Sequence, residues 1–240
     1  MSPDILITVA VTTVIQSIFG VGVLLFGTPL LLILGYDFIQ ALCILLPISL
    51  TINVLQIAQH YEHIDTDFYR KILVFTIPFV VLFLFIVSSA SINIGIIIGI
   101  FLLLVAIKNY SPQVEQAVES LVEYETLYLI VMGIIHGLTN LGGSLLTAIV
   151  HSKNYEKHKT RVTIAIAYAT FALFQLLTLW FSAAASAIHY SEIGIYWGFA
   201  LMMYIFSEET FYVGINNEKY TKIFAVFLFV SGILLIGKSV

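Results

Sequence analysis

Apolar positions in this chain fall in long blocks with short polar breaks between them. The blocks cover about 5–34, 39–59, 69–89, 92–108, 126–150, 162–187, 193–213 and 222–238. A helix rises 1.5 Å per residue, so a block of about 20 residues crosses a hydrocarbon core of roughly 30 Å. The breaks are Gly35-Tyr36-Asp37, His60 to Arg70, Ser88 to Asn93, Lys108 to Glu125, Lys153 to Arg161, Tyr190 to Glu192 and Asn216 to Lys219. This pattern predicts an all-α polytopic membrane protein. The longest break, 108–125, holds Glu115, Glu119, Glu123 and Glu125, a spacing that predicts a short surface helix with one acidic face.

The long break lies at the middle of the chain, which suggests an internal repeat. A shift of 120 residues lays Gln16-Ser-Ile-Phe-Gly-Val-Gly22 over His136-Gly-Leu-Thr-Asn-Leu-Gly142. Both are Gly-rich interruptions inside an apolar run. Each is followed by a second short apolar arm and then by a long segment with an interior amide, Asn53 or Gln56 in one half and Gln175 in the other. The expected organisation is an N-terminal membrane repeat at 1–110, a polar connector at 111–125 and a C-terminal membrane repeat at 126–240.

Charge selects the topology. If 5–34 and 126–150 both cross the membrane, the ten Lys and Arg divide four against six, and no side is favoured. If each Gly-rich segment dips in and returns, nine share one face and Lys238 stands alone on the other. A multispan protein keeps its basic residues on the cytoplasmic side. The expected fold is therefore two inverted-topology repeats, each a Gly-broken, re-entrant helical segment plus three transmembrane helices, with both termini extracytoplasmic. The competing arrangement is a set of long, tilted, Gly-kinked spans.

Composition adds exclusions. Hydrophobic residues make up 60% of the 240 and charged residues 10%, against roughly 25% charged in a soluble domain. Mean hydropathy is +1.03. A water-soluble enzyme is excluded. The net charge of −4 offers no basic stripe for nucleic acid. The single Cys43 excludes an internal disulfide framework or a thiolate cluster. No metal site and no cofactor are expected; the expected partners are a small anion and the lipid bilayer, and a homo-oligomer is compatible with the chain.

A helix broken at membrane depth must line a wet cavity or be buried in protein. The second arm then begins with backbone N–H groups that no carbonyl satisfies, and with the helix dipole these favour an anion. The candidate binding residues follow: Gly20 and Gly22 at the first break, and Thr139, Asn140, Gly142, Gly143 and Ser144 at the second. Thr28 and Thr147 offer further hydroxyls. Gln16 and His136 precede the breaks, while Asn53, Gln56 and Gln175 face the interior as amides that bind an anion without a fixed charge. The two breaks are expected to meet near the midplane. The bland readings are close helix packing for the glycines and interhelical hydrogen bonds for the amides. Arg161 reads as a positive-inside anchor, with a cavity mouth that attracts anions as the rival; Glu208 and Glu209 read as interfacial. Cys43 reads as a small buried apolar residue. Tyr36, Phe38, Tyr61, Phe68, Tyr69, Tyr190, Tyr196 and Trp197 fit interfacial belts.

The segments Ser17-Ile-Phe-Gly-Val-Gly-Val-Leu-Leu-Phe-Gly-Thr-Pro-Leu-Leu-Leu-Ile-Leu-Gly and Gly133-Ile-Ile-His-Gly-Leu-Thr-Asn-Leu-Gly-Gly-Ser-Leu-Leu resemble the two signatures of the TauE/SafE family of sulfite exporters. The resemblance covers nearly the whole chain. It implies transport of sulfite, sulfonates or related small anions across the cytoplasmic membrane. Val21 and Val23 dilute the family's glycine run at the first break, and Ser144-Leu145 replaces a Gly-Pro-like step after the second. Those departures bear on which anion is carried. The chain thus reads as a secondary transporter and not an enzyme. The alternatives are an anion channel, a non-transporting scaffold, and an intramembrane serine hydrolase using Ser144 with His136 or His189.

Overall fold

The computed structural model describes residues 2–89, 94–108, 111–182, 190–211 and 217–239. The first apolar block is two helices, α1 (Pro3–Phe19) and α2 (Val23–Leu34). Next come α3 (Phe38–His60), a 3-10 turn at Tyr61–His63, α4 (Thr66–Phe75), α5 (Ile77–Ser89) and α6 (Ile94–Lys108). The connector forms α7 (Pro112–Glu123). The second half holds α8 (Glu125–Thr139), α9 (Gly143–Ser152), α10 (Lys157–Phe181), α11 (Tyr190–Phe211) and α12 (Asn217–Ser239). Every described regular element is helical, and Phe38–His63, Thr66–Ser89 and Lys157–Phe181 are each long and apolar enough to cross a bilayer. The chain is an integral membrane protein.

Several boundaries differ from the hydropathy reading. The 69–89 block is split at Thr76 into α4 and α5. Pro78 causes this: it has no N–H for the carbonyl of Val74, and its ring disfavours continued helix before it. Thr76 uses the freed geometry, its hydroxyl donating to the carbonyl of Leu129 in α8 at 3.0 Å. The other correction is at 153–161. α10 starts at Lys157, so Lys157, Lys159 and Arg161 belong to the helix and not to a polar loop.

Helix pairing runs across the two halves. α3 packs on α10, α6 on α12, α1 on α11 and α8 on α5. Small residues let these backbones approach. Gly133 and Gly137 of α8 face the carbonyls of Thr76 and Val80, where a Cβ would come within 2.5 and 2.7 Å. This is the four-residue small spacing of close membrane helix pairs. Gly99 and Gly232 meet in the same manner between α6 and α12, a Cβ on either falling 2.9 Å from the other's carbonyl oxygen.

Polar contacts sort the helix ends into two groups. Tyr36, just beyond α2, donates to Asp4 near the start of α1 at 2.8 Å. Lys238 near the end of α12 donates to the carbonyl of Ile33 at 3.1 Å, and the amide of Ser2 donates to Tyr196 near the start of α11. The other group begins some 34 Å away, at the far end of the 23-residue α3. There His158 Nδ1 lies 3.2 Å from His60 Nε2, and Tyr155 donates to Asp65. Glu125, the first residue of α8, pairs with Lys71 at 2.6 Å and with Lys153, just after α9, at 2.8 Å. Glu125 is thus an ion-pair centre and not part of an acidic face on α7. The side chains of Glu115 and Glu119 lie outside the described set, as do those of Glu208, Glu209 and Tyr190 and all of His189.

Asp65 shows how this second group is held. Its carboxylate caps α4, accepting from the amides of Asp67 at 3.1 Å and Phe68 at 2.9 Å. Partial burial pushes its carboxyl up, but the Phe68 amide, the Tyr155 hydroxyl and the charges of Lys159 and Lys153 outweigh it and hold the carboxyl below its ordinary value. Three supposed belt aromatics are core residues. Phe38, Phe68 and Tyr196 are buried, and Lys153 stands 4.6 Å over the ring of Phe68. Cys43 is buried, as expected.

Candidate functional site: two helix breaks and the polar groups around them

The two interruptions share one backbone design. α1 ends on Gly20 at φ +76° and α8 ends on Asn140 at φ +61°. Both are left-handed caps, a conformation glycine adopts freely and asparagine tolerates. The amide of Gly20 donates to the carbonyl of Gln16 at 2.8 Å, and that of Asn140 to the carbonyl of His136 at 2.8 Å. Two residues on, each chain passes through a glycine pressed on the preceding helix. A Cβ on Gly22 would sit 2.7 Å from the amide nitrogen of Gln16 and 2.8 Å from the carbonyl oxygen of Thr12; one on Gly142 would sit 2.5 Å from Cβ of His136 and 3.0 Å from the carbonyl oxygen of Met132. Helix then resumes, Phe26 donating to Gly22 and Leu146 to Gly142, both at 2.9 Å. The 120-residue shift relates each member of these pairs.

Side chains complete the two breaks differently. At the first, Gln16 Oε1 accepts from the amide of Val23 at 2.9 Å, which closes one of the N–H groups expected to face an anion. The same amide group reaches Asn53 Oδ1 at 3.4 Å through Nε2. Asn53 in turn donates to the carbonyl and hydroxyl of Ser49. Gln56 Nε2 lies 3.5 Å from the carbonyl of Gln16. Helix geometry leaves Leu24 and Leu25 as the remaining amides at the start of α2.

At the second break, His136 Nε2 donates to Gln175 Oε1 at 3.1 Å, leaving its Nδ1 as an acceptor. His136 Nδ1, Gln175 Nε2 and Asn140 Oδ1 are buried without a hydrogen-bond partner in the described structure. So are Gln56 Oε1 near the first break, Thr13 Oγ1 and Thr163 Oγ1. Native interiors pair nearly all such atoms, and each that stays unpaired invites a ligand or water as the explanation. Asn140 also reaches across the molecule, donating to Thr28 in the middle of α2 at 2.9 Å. The second break therefore sits beside α2, linked to the other half through Thr28.

The hydroxyls are mostly committed to their own chain. Thr139 donates to Ile135, Ser144 to Leu141 and Thr147 to Gly143, and Thr139 accepts from the amide of Leu141. Ser144 and His136 do not pair, so these two residues form no nucleophile–base couple. Gln16, Asn53, Gln56, His136, Thr139, Asn140 and Gln175 are all at most 2% exposed, so the structure is closed over them.

Two neighbours on α10 lie outside the candidate ligand set: Arg161 reads in the sequence as an anchor or a cavity mouth, and Tyr168 is not singled out there. The hydroxyl of Tyr168 occupies the space in front of Gly143, where any Cβ would collide with it. Its ring stands edge-on to His136, with Phe171 4.6 Å from the same imidazole. Arg161 packs its Cγ 3.6 Å from the position of a Cβ on Gly20. A signal was present: Arg161, Tyr168 and Gln175 are spaced by seven, which places them on one helix face.

No curated protein and no solved structure matches the chain. The family model described as Sulfite exporter TauE/SafE matches residues 5–235, a range that takes in both breaks and all helices that pack around them. The chain belongs to the TauE/SafE family of membrane sulfite exporters.

Proposed function

We propose that the protein is a secondary transporter that moves sulfite, a sulfonate or a related sulfur oxyanion across the cytoplasmic membrane by alternating access. The observation that carries this reading is the buried pair of matching helix breaks with unmatched polar atoms around them, most of them at the second. Gln175 Nε2 offers donors and His136 Nδ1 an acceptor, a set suited to an oxyanion that keeps one proton. The candidate ligands are Gln16, Gly20, Gly22, Thr28, Asn53, Gln56, His136, Thr139, Asn140, Gly142, Gly143, Ser144 and Gln175.

The repeat architecture supports alternation. Asp4 with Tyr36 joins the start of α1 to the end of α2, and Glu125 with Lys153 joins the start of α8 to the end of α9. Each broken segment thus returns to the side it entered from. Three crossings, α3, α4–α5 and α6, separate the two hairpins, so the second half of the chain is inverted relative to the first. Residues 1–110 and 126–240 are the two repeats and 111–125 the connector. Inverted repeats rocking about discontinuous helices are a recurrent transporter design. In this orientation the Glu125 end is cytoplasmic and both termini are outside. A closed structure over buried polar groups corresponds to the occluded stage of the cycle.

The test is flux into proteoliposomes with sulfite, sulfate, thiosulfate, sulfoacetate and taurine. Uptake above the equilibrium level, driven by an ion gradient, is expected for at least one. Flux that never concentrates its substrate identifies a channel, and no flux of any anion removes the proposal. Impermeant labelling of tags at the two termini checks the orientation.

A further inference from the structure

We propose that Arg161 and Tyr168 are anion ligands of the transport path, and that the substrate moves along one face of α10 between the two breaks. The inference rests on the transport reading above and adds residues that its motif-based ligand set lacks.

Three positions at seven-residue intervals stack on one side of a helix. In α10 each of the three meets a break. Arg161 lies against Gly20 of the first, with its Nε buried. Tyr168 lies against Gly143 at the opening of α9. Gln175 lies against His136, one turn before the second break. The stripe runs about 21 Å along the axis, most of the hydrocarbon thickness. The matching positions in α3, shifted by 120, are Ala41, Ile48 and Leu55, which are apolar. The repeat therefore carries its polar stripe in one half only.

The chemistry divides along the stripe. Arg161 supplies a permanent positive charge and a planar set of donors that fits an oxyanion. It stands one turn inside the start of α10, on the approach from the face that holds Lys153, Lys157 and Lys159. Tyr168 supplies one hydroxyl at the point where the amides of α9 begin. An N-terminal helix end alone would not define a site. Here the buried Gln175 Nε2 and His136 Nδ1, both without partners, lie at the same break. The glycine at 143 has a reason in this arrangement: it leaves room for the tyrosine hydroxyl beside the first turn.

The experiment is concentration-dependent sulfite flux in proteoliposomes, with sulfite-induced thermal shift measured on the same purified proteins. Tyr168→Phe is expected to raise KM severalfold, because it removes a donor and little volume. Arg161→Gln is expected to raise KM tenfold or more, and Arg161→Lys to recover part of the loss. The sulfite-induced thermal shift should shrink in the same order. An anchor or packing role would alter expression or basal melting temperature and leave KM where it was. Should Arg161→Gln fail to fold, Arg161→Lys and Tyr168→Phe decide, since both keep the helix and its packing. Unchanged KM and unchanged thermal shift in these two overturn the assignment while wild-type flux leaves the transporter standing. A wild-type protein that neither transports nor binds sulfite or any other anion of the panel overturns the transport reading first.

Discussion

The first break, at 20–22, and the second, at 140–142, are the same in backbone and different in side chains. A left-handed cap, a glycine two residues on and a return hydrogen bond recur at equal distances in both. The first is sealed by Gln16, which caps Val23, and by the Asn53 amide beyond it. The second keeps buried polar atoms unpaired on His136, Asn140 and Gln175. The comparison separates what makes the turn from what satisfies the polar groups around it. The glycine spacing builds the turn. Unmatched polar atoms are more numerous at the second turn, on His136, Asn140 and Gln175, against Gln56 Oε1 at the first.

The largest effect should come from the shared element. Gly22→Leu and Gly142→Leu drive a side chain into the preceding helix; at Gly22 the colliding atoms are backbone and cannot rotate away. Each should cost roughly 3 kcal/mol and abolish sulfite flux, measured by thermal unfolding in detergent and by proteoliposome uptake. Flux at wild-type level in either would show that the turns are not what moves or binds the anion.

The next pair tests the difference. Gln16→Leu strands the Val23 amide and should lower stability by about 2 kcal/mol, since an unmade buried bond costs that much. Gln175→Leu removes the unpaired Nε2 but also strands the buried Nε2–H of His136, so it should lower stability by a similar amount, about 2 kcal/mol, and in addition raise KM for sulfite. An unchanged KM in Gln175→Leu would erase the distinction between sealed and open breaks.

Smaller effects follow from the caps. Gly20→Ala places a Cβ in the left-handed region and should cost about 1 kcal/mol. Asn140→Gly keeps the conformation and loses the bond to Thr28, so it should fold with near-normal stability and altered flux. Chemical or thermal denaturation of the two side by side checks the contrast.

The smallest effect concerns the contacts that hold the helix ends away from the breaks. Asp65 is held below its ordinary carboxyl value in the folded protein. Its contribution is present at neutral pH and lost as pH falls through that lowered value. Asp65→Ala should cost about 1 kcal/mol at pH 7, and less in strong acid, where wild type has lost the same contribution. Melting curves from pH 7 downward would show the two proteins converging; a constant gap would remove the carboxylate from the account.

Much of this arrangement was legible in the chain. The glycine clusters marked the breaks because only glycine fits where two backbones touch. Lys238 donates to the carbonyls of Leu32 and Ile33 in the last turn of α2. Other features were not legible. Hydropathy averages over Thr76, so the α4–α5 joint was read as one span although Pro78 announced it. The Gly133–Gly137 spacing was in plain view, but its partner carbonyls on α5 depend on how remote helices meet. Lys157 to Arg161 looked like a loop because charge at a membrane surface is the same whether the backbone coils or turns. Arg161 and Tyr168 lacked a motif; their significance comes from which glycines they face. Phe68 and Tyr196 looked like surface anchors, since ring chemistry alone does not tell a lipid boundary from a core.

The bond of Glu125 to Lys153 fastens the two feet of the second hairpin together. A hairpin with joined feet resists scissoring of its arms, by no more than about 1 kcal/mol for a partly exposed ion pair. α8 is also tied to the α4–α5 joint through the bond from Thr76 to the carbonyl of Leu129, so that joint and the second pair of arms are mechanically coupled.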